Sequence, residues 1–132
     1  MTDESKPKLR LLPAIYTREL KTAFFLALSE QPDMQIVAAA TNTAELLSYS
    51  RTLLPDVIIL EWELPGCPMV DVFPMLAQKD SPTKIFVISK PSSHRQIQDF
   101  ASTANIFIDP ENLINALVAL SSLSKNHMQQ SQ

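Results

Sequence analysis

A carboxylate at the end of a strongly apolar run is the feature of this 132-residue chain that most suggests chemistry. Residues Val57 to Leu60 are predicted to form a buried parallel strand, and Glu61 follows where that strand meets a loop. In an open α/β sheet, ligands and reacting groups gather at the carboxyl ends of the strands. Glu61 is therefore the candidate site residue, and the groups around it decide what it can do.

Other reactive side chains do not complete an active site. Asp56 and Glu61 lie on one predicted strand, about 16 Å apart at ~3.3 Å per residue, which excludes a catalytic dyad. Ser89 has only His94 as a nearby base, so a hydroxyl satisfied by its surroundings is favoured over a nucleophile. Cys67 and the two histidines lack the spacing of metal ligands. We predict no catalytic residue, no metal site, no cofactor and no enzymatic activity.

The elements that must position Glu61 alternate along the chain. Apolar runs typical of strands are separated by patterns typical of helices, which predicts a parallel sheet covered by helices on both faces. The predicted strands are Leu9 to Ile15, Gln35 to Ala40, Val57 to Leu60, Lys84 to Ser89 and Asn105 to Ile108. The fold class predicted from this alternation is α/β.

The second predicted helix has a marked start signal, and the third contains a proline that disfavours a helix. Asn42, with Glu45 three residues later, predicts a capped start for the second helix. The core-facing residues predicted for this helix are Leu46, Leu47, Leu53 and Leu54. Pro74 interrupts the third helical pattern, where an interior proline costs about 3 kcal/mol. Proline is tolerated in a first turn, so this helix is expected to start late, with Asp71 as its cap.

The last two helices complete the predicted domain. Ser93 opens the fourth, whose inner face is Ile97, Phe100, Ala101 and Ala104. Asp109 caps the fifth, with Pro110 at its first position, and this helix is predicted to end near Leu123. The predicted organisation is a disordered tail at 1–7, a domain at 8–123, and a polar tail or linker at 124–132.

Composition narrows the class of function. The longest apolar runs fall well short of the ~20 residues that span a bilayer, and the polar N-terminus lacks a secretory layout. One cysteine excludes an internal disulfide, and a net charge of −3 argues against direct nucleic-acid binding. A single glycine excludes glycine-rich phosphate loops. We expect a cytoplasmic domain that binds neither membrane nor nucleic acid directly.

Three segments carry a resemblance to a known family. They are Gln31 to Val37, Ala44 to Leu47, and the run from Pro55 to Gly66. At this order and spacing the chain resembles the receiver domains of two-component response regulators, most closely receivers that precede a helix-turn-helix domain. The resemblance covers about residues 8–123. It implies a flavodoxin-like, doubly wound fold with a five-stranded parallel sheet in the order 2-1-3-4-5.

The resemblance also places the family's functional positions. Receivers accept a phosphoryl group on an aspartate that ends the third strand, aided by Mg²⁺ bound to an acidic pair after the first strand. The aspartate position is Glu61 here, and the acidic pair falls on Ile15 and Tyr16. Ser89 keeps the hydroxyl that ends the fourth strand, whereas Asp109 replaces the lysine that ends the fifth.

These replacements remove positive charge from the predicted pocket. Mg²⁺ is bound by carboxylates with water or phosphate, and Ile15 provides no ligand while Tyr16 provides at most a neutral phenol. Asp109 places an anion where the family has a cation. Because proteins promote phosphoryl transfer mainly by stabilising charge, we predict a degenerate pocket that does not accept phosphate.

The charges left in this pocket need partners. We expect Lys90 or Arg18 to form a salt bridge with Glu61 or Asp109, and the alternative is that both acids face solvent. Trp62 is expected to pack half-buried, with closure over the former pocket or a partner contact as alternatives.

The leading functional interpretation is a pseudo-receiver, a receiver fold that acts by protein–protein interaction without phosphorylation. Family analogy places contact with a partner or a second copy on the fourth helix, fifth strand and fifth helix. The residues of this predicted face are Gln96, Ile106, Asn112 and Asn115, of which Ile106 replaces an aromatic residue of the family. The alternative is a receiver switched by a small ligand, or by atypical phosphorylation, at Glu61.

Overall fold

Strands and helices alternate throughout the computed structural model, which describes residues 8–78, 81–98, 104–107 and 109–130. A 3₁₀ turn at Pro91–Ser93 leads directly into the fourth helix. The elements in chain order are β1 (Leu9–Ala14), α1 (Arg18–Leu28), β2 (Met34–Ile36), α2 (Thr43–Leu53), β3 (Val57–Glu61), α3 (Met69–Leu76), β4 (Lys84–Ile88), α4 (His94–Gln98), β5 (Asn105–Phe107) and α5 (Pro110–Gln130). The predicted α/β class with a parallel sheet is confirmed.

The strands form one parallel sheet in the order β2-β1-β3-β4-β5. The chain runs outward from β1 to β2 and then returns to place β3 on the other side of β1. In such sheets the crevice at this reversal is where ligands bind. The register places Ala14 opposite Leu60, and Glu61 opposite Ile88. Glu61 therefore lies beside the residues that follow β1.

Each face of the sheet is covered by its own set of helices. Successive side chains of a strand point to opposite faces, so Ile59 packs with α1 and α5 whereas Leu60 packs with α2, α3 and α4. Phe24 and Leu117 fill the first core, and Phe73 fills the second; all three are almost fully buried. Each such side chain contributes about 1.5–3 kcal/mol by its burial.

The end of α2 differs from the prediction. Leu54 was expected to face the core, but it is 71% exposed because its backbone adopts a left-handed conformation (φ 48°) that terminates the helix. The Arg10 guanidinium donates hydrogen bonds to the carbonyl oxygens of Leu53 and Leu54 at 2.7 and 3.0 Å. Arg10 thus satisfies the last carbonyl groups of α2. Strand β2 also differs from the prediction, because it is shorter and ends at Ile36.

The start of α3 also corrects the prediction. The helix begins at Met69, directly after Pro68, and Asp71 lies within its first turn and does not cap it. The carbonyl oxygen of Pro68 accepts the N–H of Asp71 at 2.9 Å, so the first turn forms upstream of Pro74. Pro74 is an interior residue, and the helix ends two residues later at Leu76. Because Pro74 has no N–H, the helical hydrogen bond that residue 74 would donate to the carbonyl oxygen of Val70 is absent.

The last two helices match the prediction in part. Ser93 lies in the 3₁₀ turn and α4 ends at Gln98, while the predicted inner residues Phe100 and Ala101 lie outside the described residues. The cap of α5 is confirmed, because Oδ1 of Asp109 accepts the N–H of Glu111 at 3.0 Å. Helix α5 continues to Gln130, through residues predicted to form a polar tail or linker.

The start of α2 is capped as predicted. Oδ1 of Asn42 accepts the N–H of Glu45 at 2.8 Å. Oε1 of Glu45 in turn accepts the N–H of Thr41 at 2.8 Å and its hydroxyl at 3.0 Å. The main-chain hydrogen bond from Thr41, followed by the one from its hydroxyl, lowers the pKa of Glu45 below its ordinary value of 4.5.

Removing the hydroxyl of Thr41 should raise the pKa of Glu45 towards its ordinary value, because the charged form loses a donor. A pKa that folding lowers stabilises the fold above the ordinary value of 4.5, and this contribution is lost as the pH falls through the folded-state pKa. NMR titration of the Glu45 side chain in the Thr41→Val variant measures the change, with Thr22→Val as control. Identical Glu45 pKa values in wild type and Thr41→Val would contradict this assignment.

Candidate functional site

Glu61 ends β3 and binds the loop that joins β1 to α1. Its Oε1 accepts the main-chain N–H of Tyr16 at 2.7 Å and that of Thr17 at 2.9 Å. Its Oε2 accepts a hydrogen bond from the Thr17 hydroxyl. Thr17 is also the residue that precedes α1, so the carboxylate lies at the N-terminal end of this helix, where negative charge is favoured. Three donors therefore hold the Glu61 carboxylate in place.

Ile15 and Tyr16 occupy the two acidic-pair positions of the family, and neither provides a carboxylate beside Glu61. The Ile15 side chain is only 2% exposed and packs in the core between the sheet, α1 and α5. Tyr16 is 64% exposed and contributes its main-chain N–H to Glu61. Main-chain N–H groups bind anions, whereas Mg²⁺ requires oxygen ligands. Among the described residues, no group of three or more histidine, cysteine or acidic side chains could hold a metal.

The predicted salt bridges are not found in the part of the chain that the structure describes. Glu61 is held by amides and a hydroxyl, and Asp109 binds the start of α5. The physical reason is that main-chain donors at a helix start already satisfy each carboxylate. The alternative, in which both acids face solvent, is also wrong for Glu61.

Ser89 follows β4 and keeps the hydroxyl of the family. It is 5% exposed, and its hydroxyl donates to the carbonyl oxygen of Lys90 at 3.2 Å. The prediction of a locally satisfied hydroxyl is confirmed. Asp109 is exposed, as is the Lys90 side chain.

Trp62 is more deeply buried than predicted, at 6% exposure. Its ring packs against Phe73 with centroids 6.1 Å apart at an angle of 51°. Its indole N–H donates to Oε1 of Gln96 at 3.1 Å. The next residue, Glu63, accepts a hydrogen bond from the Ser93 hydroxyl at 2.8 Å. Two consecutive side chains after β3 therefore bind the region where α4 begins, a connection that sequence reasoning missed.

A second connection that sequence reasoning missed joins the β3–α3 loop to α2. Thr43 is 2% exposed; its N–H donates to the carbonyl oxygen of Pro65, and its hydroxyl oxygen accepts the N–H of Cys67, both at 2.9 Å. Between them, Gly66 has a φ of 122°, which favours glycine. The one glycine of the chain was the available signal for this close approach.

The predicted interaction face is described in part. Gln96, Asn112 and Asn115 are exposed, and Gln96 also accepts the Trp62 hydrogen bond. Ile106 lies in β5, with its side chain outside the description. Two open grooves occur away from Glu61. One lies between α1 and α5, and the other lies beside the end of α1 and β2.

Comparison with known proteins gives both sequence relatives and structural neighbours. The chain is 25% identical over 95 residues to the DNA-binding transcriptional activator EvgA of Escherichia coli K12, covering 71% of this chain and 47% of the activator. The chain thus spans about half the length of the curated relative that it matches. No family model matches. No helix in the described ranges is long and apolar enough to cross a membrane.

Solved structures share the architecture at low sequence identity. The signal receiver domain of a Luxo repressor protein from Vibrio parahaemolyticus aligns with a TM-score of 0.76 at 17% identity, covering 95% of this chain and 98% of that one. A LuxR-family two-component response regulator from Aurantimonas sp. SI85-9A1 aligns with a TM-score of 0.71 at 19% identity, covering 87% and 86%. Both alignments extend over nearly the whole chain.

Proposed function

We propose that this chain, which has the fold of response-regulator receiver domains, is a phosphorylation-independent pseudo-receiver. The resemblance to this family predicted that fold. The observation that carries the proposal is the binding of the Glu61 carboxylate by Tyr16 and Thr17. In the family this position is the phosphoryl acceptor. Here its carboxylate serves to connect β3 to the start of α1.

The electrostatics of the site support this role. The groups that face Glu61 from the β1–α1 loop are hydrogen-bond donors, which favour an anion and disfavour a cation. Attack of Glu61 on phosphorus would require its carboxylate to give up part of the binding that these three donors provide. Positioning and charge stabilisation account for most of the catalysis of phosphoryl transfer, and this site retains little of either. The domain therefore functions without enzymatic activity and without a bound cofactor.

Function then depends on contacts with a protein partner or a second copy through α4, β5 and α5. The exposed side chains Gln96, Asn112 and Asn115 are polar and uncharged, and interface cores are depleted of charged residues. EvgA is a DNA-binding transcriptional activator, and this chain matches only part of it. We propose that the chain acts in two-component signalling in the cytoplasm, in signal transduction or in transcriptional regulation. The domain itself contacts neither DNA nor membrane.

A titration with Mg²⁺ and beryllofluoride, an analogue of the phosphoryl group, tests this proposal. Because the described residues hold no group of three or more histidine, cysteine or acidic side chains that could bind the metal, the amide resonances of Tyr16 and Thr17 should not shift in a saturable way. The Glu30→Gln variant, which changes an exposed carboxylate in the turn after α1, is the matched control. Saturable shifts that disappear in Glu61→Gln would reject the pseudo-receiver in favour of a receiver switched by a ligand or by atypical phosphorylation.

A further inference from the structure

Helix α3 is apolar on every side, including the side that faces solvent. Of its eight residues, Asp71 is the charged one and the other seven are apolar. The residues that it buries against the core are Met69, Val72, Phe73 and Leu76. The exposed residues are Val70, Asp71, Pro74 and Met75, which we refer to as the α3 face. A helix that is apolar all round is normally covered all round.

The α3 face forms a continuous patch. Val70 and Pro74 are four residues apart, as are Asp71 and Met75, so the four side chains form two neighbouring rows along the helix. Val70 is 42% exposed and Met75 is 52% exposed. Contiguous exposed apolar side chains mark sites of contact with other molecules, so the α3 face is a candidate interaction surface.

The neighbouring helix adds one cation to this surface. Helix α2 packs beside α3, and its Arg51 is exposed. The other charged residue of α2, Glu45, binds the main chain and the hydroxyl of Thr41. The remaining exposed residues within α2 are small and uncharged: Ala44, Ser48 and Thr52. The outer side of this helix pair therefore presents two charges of opposite sign, Arg51 and Asp71.

The two charges lie at opposite ends of the helix pair. Both helices lead from the end of one parallel strand to the start of another, so they run in the same direction. Arg51 is in the last turn of α2, whereas Asp71 is in the first turn of α3. A twofold rotation about an axis perpendicular to the helices reverses the ends, and it brings Arg51 of each copy towards Asp71 of the other.

The same rotation matches the apolar residues of the α3 face. Val70 is in the first turn of α3 and Met75 is in the last, so antiparallel packing of α3 against α3 places Val70 of each copy beside Met75 of the other. A twofold interface requires that one patch complement itself after rotation. The α3 face with Arg51 meets this requirement in its charges and in its apolar side chains. A second copy of the chain is therefore the occupant that fits.

We propose that the α3 face is a homodimer interface, in which α3 packs antiparallel against α3 and Arg51 of each copy pairs with Asp71 of the other. This inference goes beyond the pseudo-receiver proposal, because it assigns a surface outside α4, β5 and α5. Helix α5 packs on the opposite side of the sheet from α3. The dimer does not depend on whether Glu61 accepts a phosphoryl group, so the two proposals can fail separately.

Charge exchange tests the pairing, with the dimer dissociation constant measured by sedimentation velocity. Arg51→Asp or Asp71→Arg alone places like charges opposite each other in both halves of the interface, so the constant should rise about tenfold or more. The double variant exchanges the two charges and should return the constant to within about threefold of the wild-type value. Circular dichroism checks that each variant is folded.

Substitution of an apolar residue tests the same interface independently. Met75→Glu places a charge among apolar side chains and should raise the dissociation constant about tenfold or more. Leu26→Glu is the matched control, because Leu26 is 65% exposed and belongs to α1 on the other side of the sheet. It should leave the constant unchanged, and so should Asn112→Arg on the exposed side of α5.

Three outcomes would overturn the proposal. A wild-type chain that stays monomeric at about 1 mM would mean that a second copy does not cover the α3 face. A dimer weakened by Asn112→Arg but not by Met75→Glu would place the interface at α5. A double charge variant that dissociates as readily as the single variants would reject the pairing of Arg51 with Asp71.

Discussion

The Ile15→Asp variant should lose about 4 kcal/mol or more of folding free energy. Ile15 is 2% exposed among the apolar side chains of α1 and α5, so its removal forfeits about 2–3 kcal/mol of burial. A carboxylate in the same place lacks a cation and adds several kcal/mol more. Urea denaturation followed by circular dichroism measures the loss.

Tyr16→Asp is the matched control for this prediction. It introduces the same carboxylate at the neighbouring position, which is 64% exposed, and surface substitutions usually change stability by about 0.5 kcal/mol or less. Equal stability of the two variants would show that Ile15 faces an open pocket, contrary to the structure. The expected difference means that the family's acidic pair cannot be restored here without damage to the core.

The Gly66→Ala variant should lose about 3 kcal/mol or more. A Cβ at this position would lie 2.1 Å from Oγ1 of Thr43, and the φ of 122° is unfavourable for any side chain. Backbone strain of this kind costs about 1–3 kcal/mol and overpacking a further 1–3 kcal/mol. Thr43 cannot yield easily, because it is buried and its hydroxyl oxygen accepts the N–H of Cys67. Chemical denaturation measures this effect as well.

A double-mutant cycle separates the two contributions at Gly66. Thr43→Ala removes the Oγ1 atom that the new Cβ would meet, so the double variant should be more stable than the sum of the single losses by about 1 kcal/mol or more. The residual loss in the double variant reports the backbone strain. Simple additivity would mean that Thr43 is not the obstacle.

The order of the strands and helices could be predicted from the local spacing of apolar residues. Alternating apolar runs and helical spacing placed each strand, and the Asn42 and Asp109 caps are where they were predicted. The errors arise where tertiary contacts override local signals. Leu54 is apolar yet exposed because it terminates α2 in a left-handed conformation. Pro74 lies inside α3, which begins at Met69 and not after the proline.

The sequence allowed the residues of the candidate site to be named, but not the hydrogen bonds that they form. The resemblance identified Glu61, Ser89 and Asp109, and elementary electrostatics indicated that positive charge was missing. The prediction of a salt bridge considered only side-chain cations as partners. The actual partners of Glu61 are largely main-chain amides, which leave no signal in the sequence because every residue except proline has one. The Trp62–Gln96 bond spans 34 positions, beyond any local pattern.

The central claim is that Glu61 is a structural carboxylate and not a phosphoryl acceptor. Its most direct test is incubation of the chain with acetyl phosphate and Mg²⁺, followed by intact-mass measurement. The account predicts an unchanged mass, because the carboxylate remains bound to the β1–α1 loop and Asp109 occupies the position where receivers have a lysine. A mass increase of one phosphoryl group, absent in the Glu61→Gln variant, would contradict it.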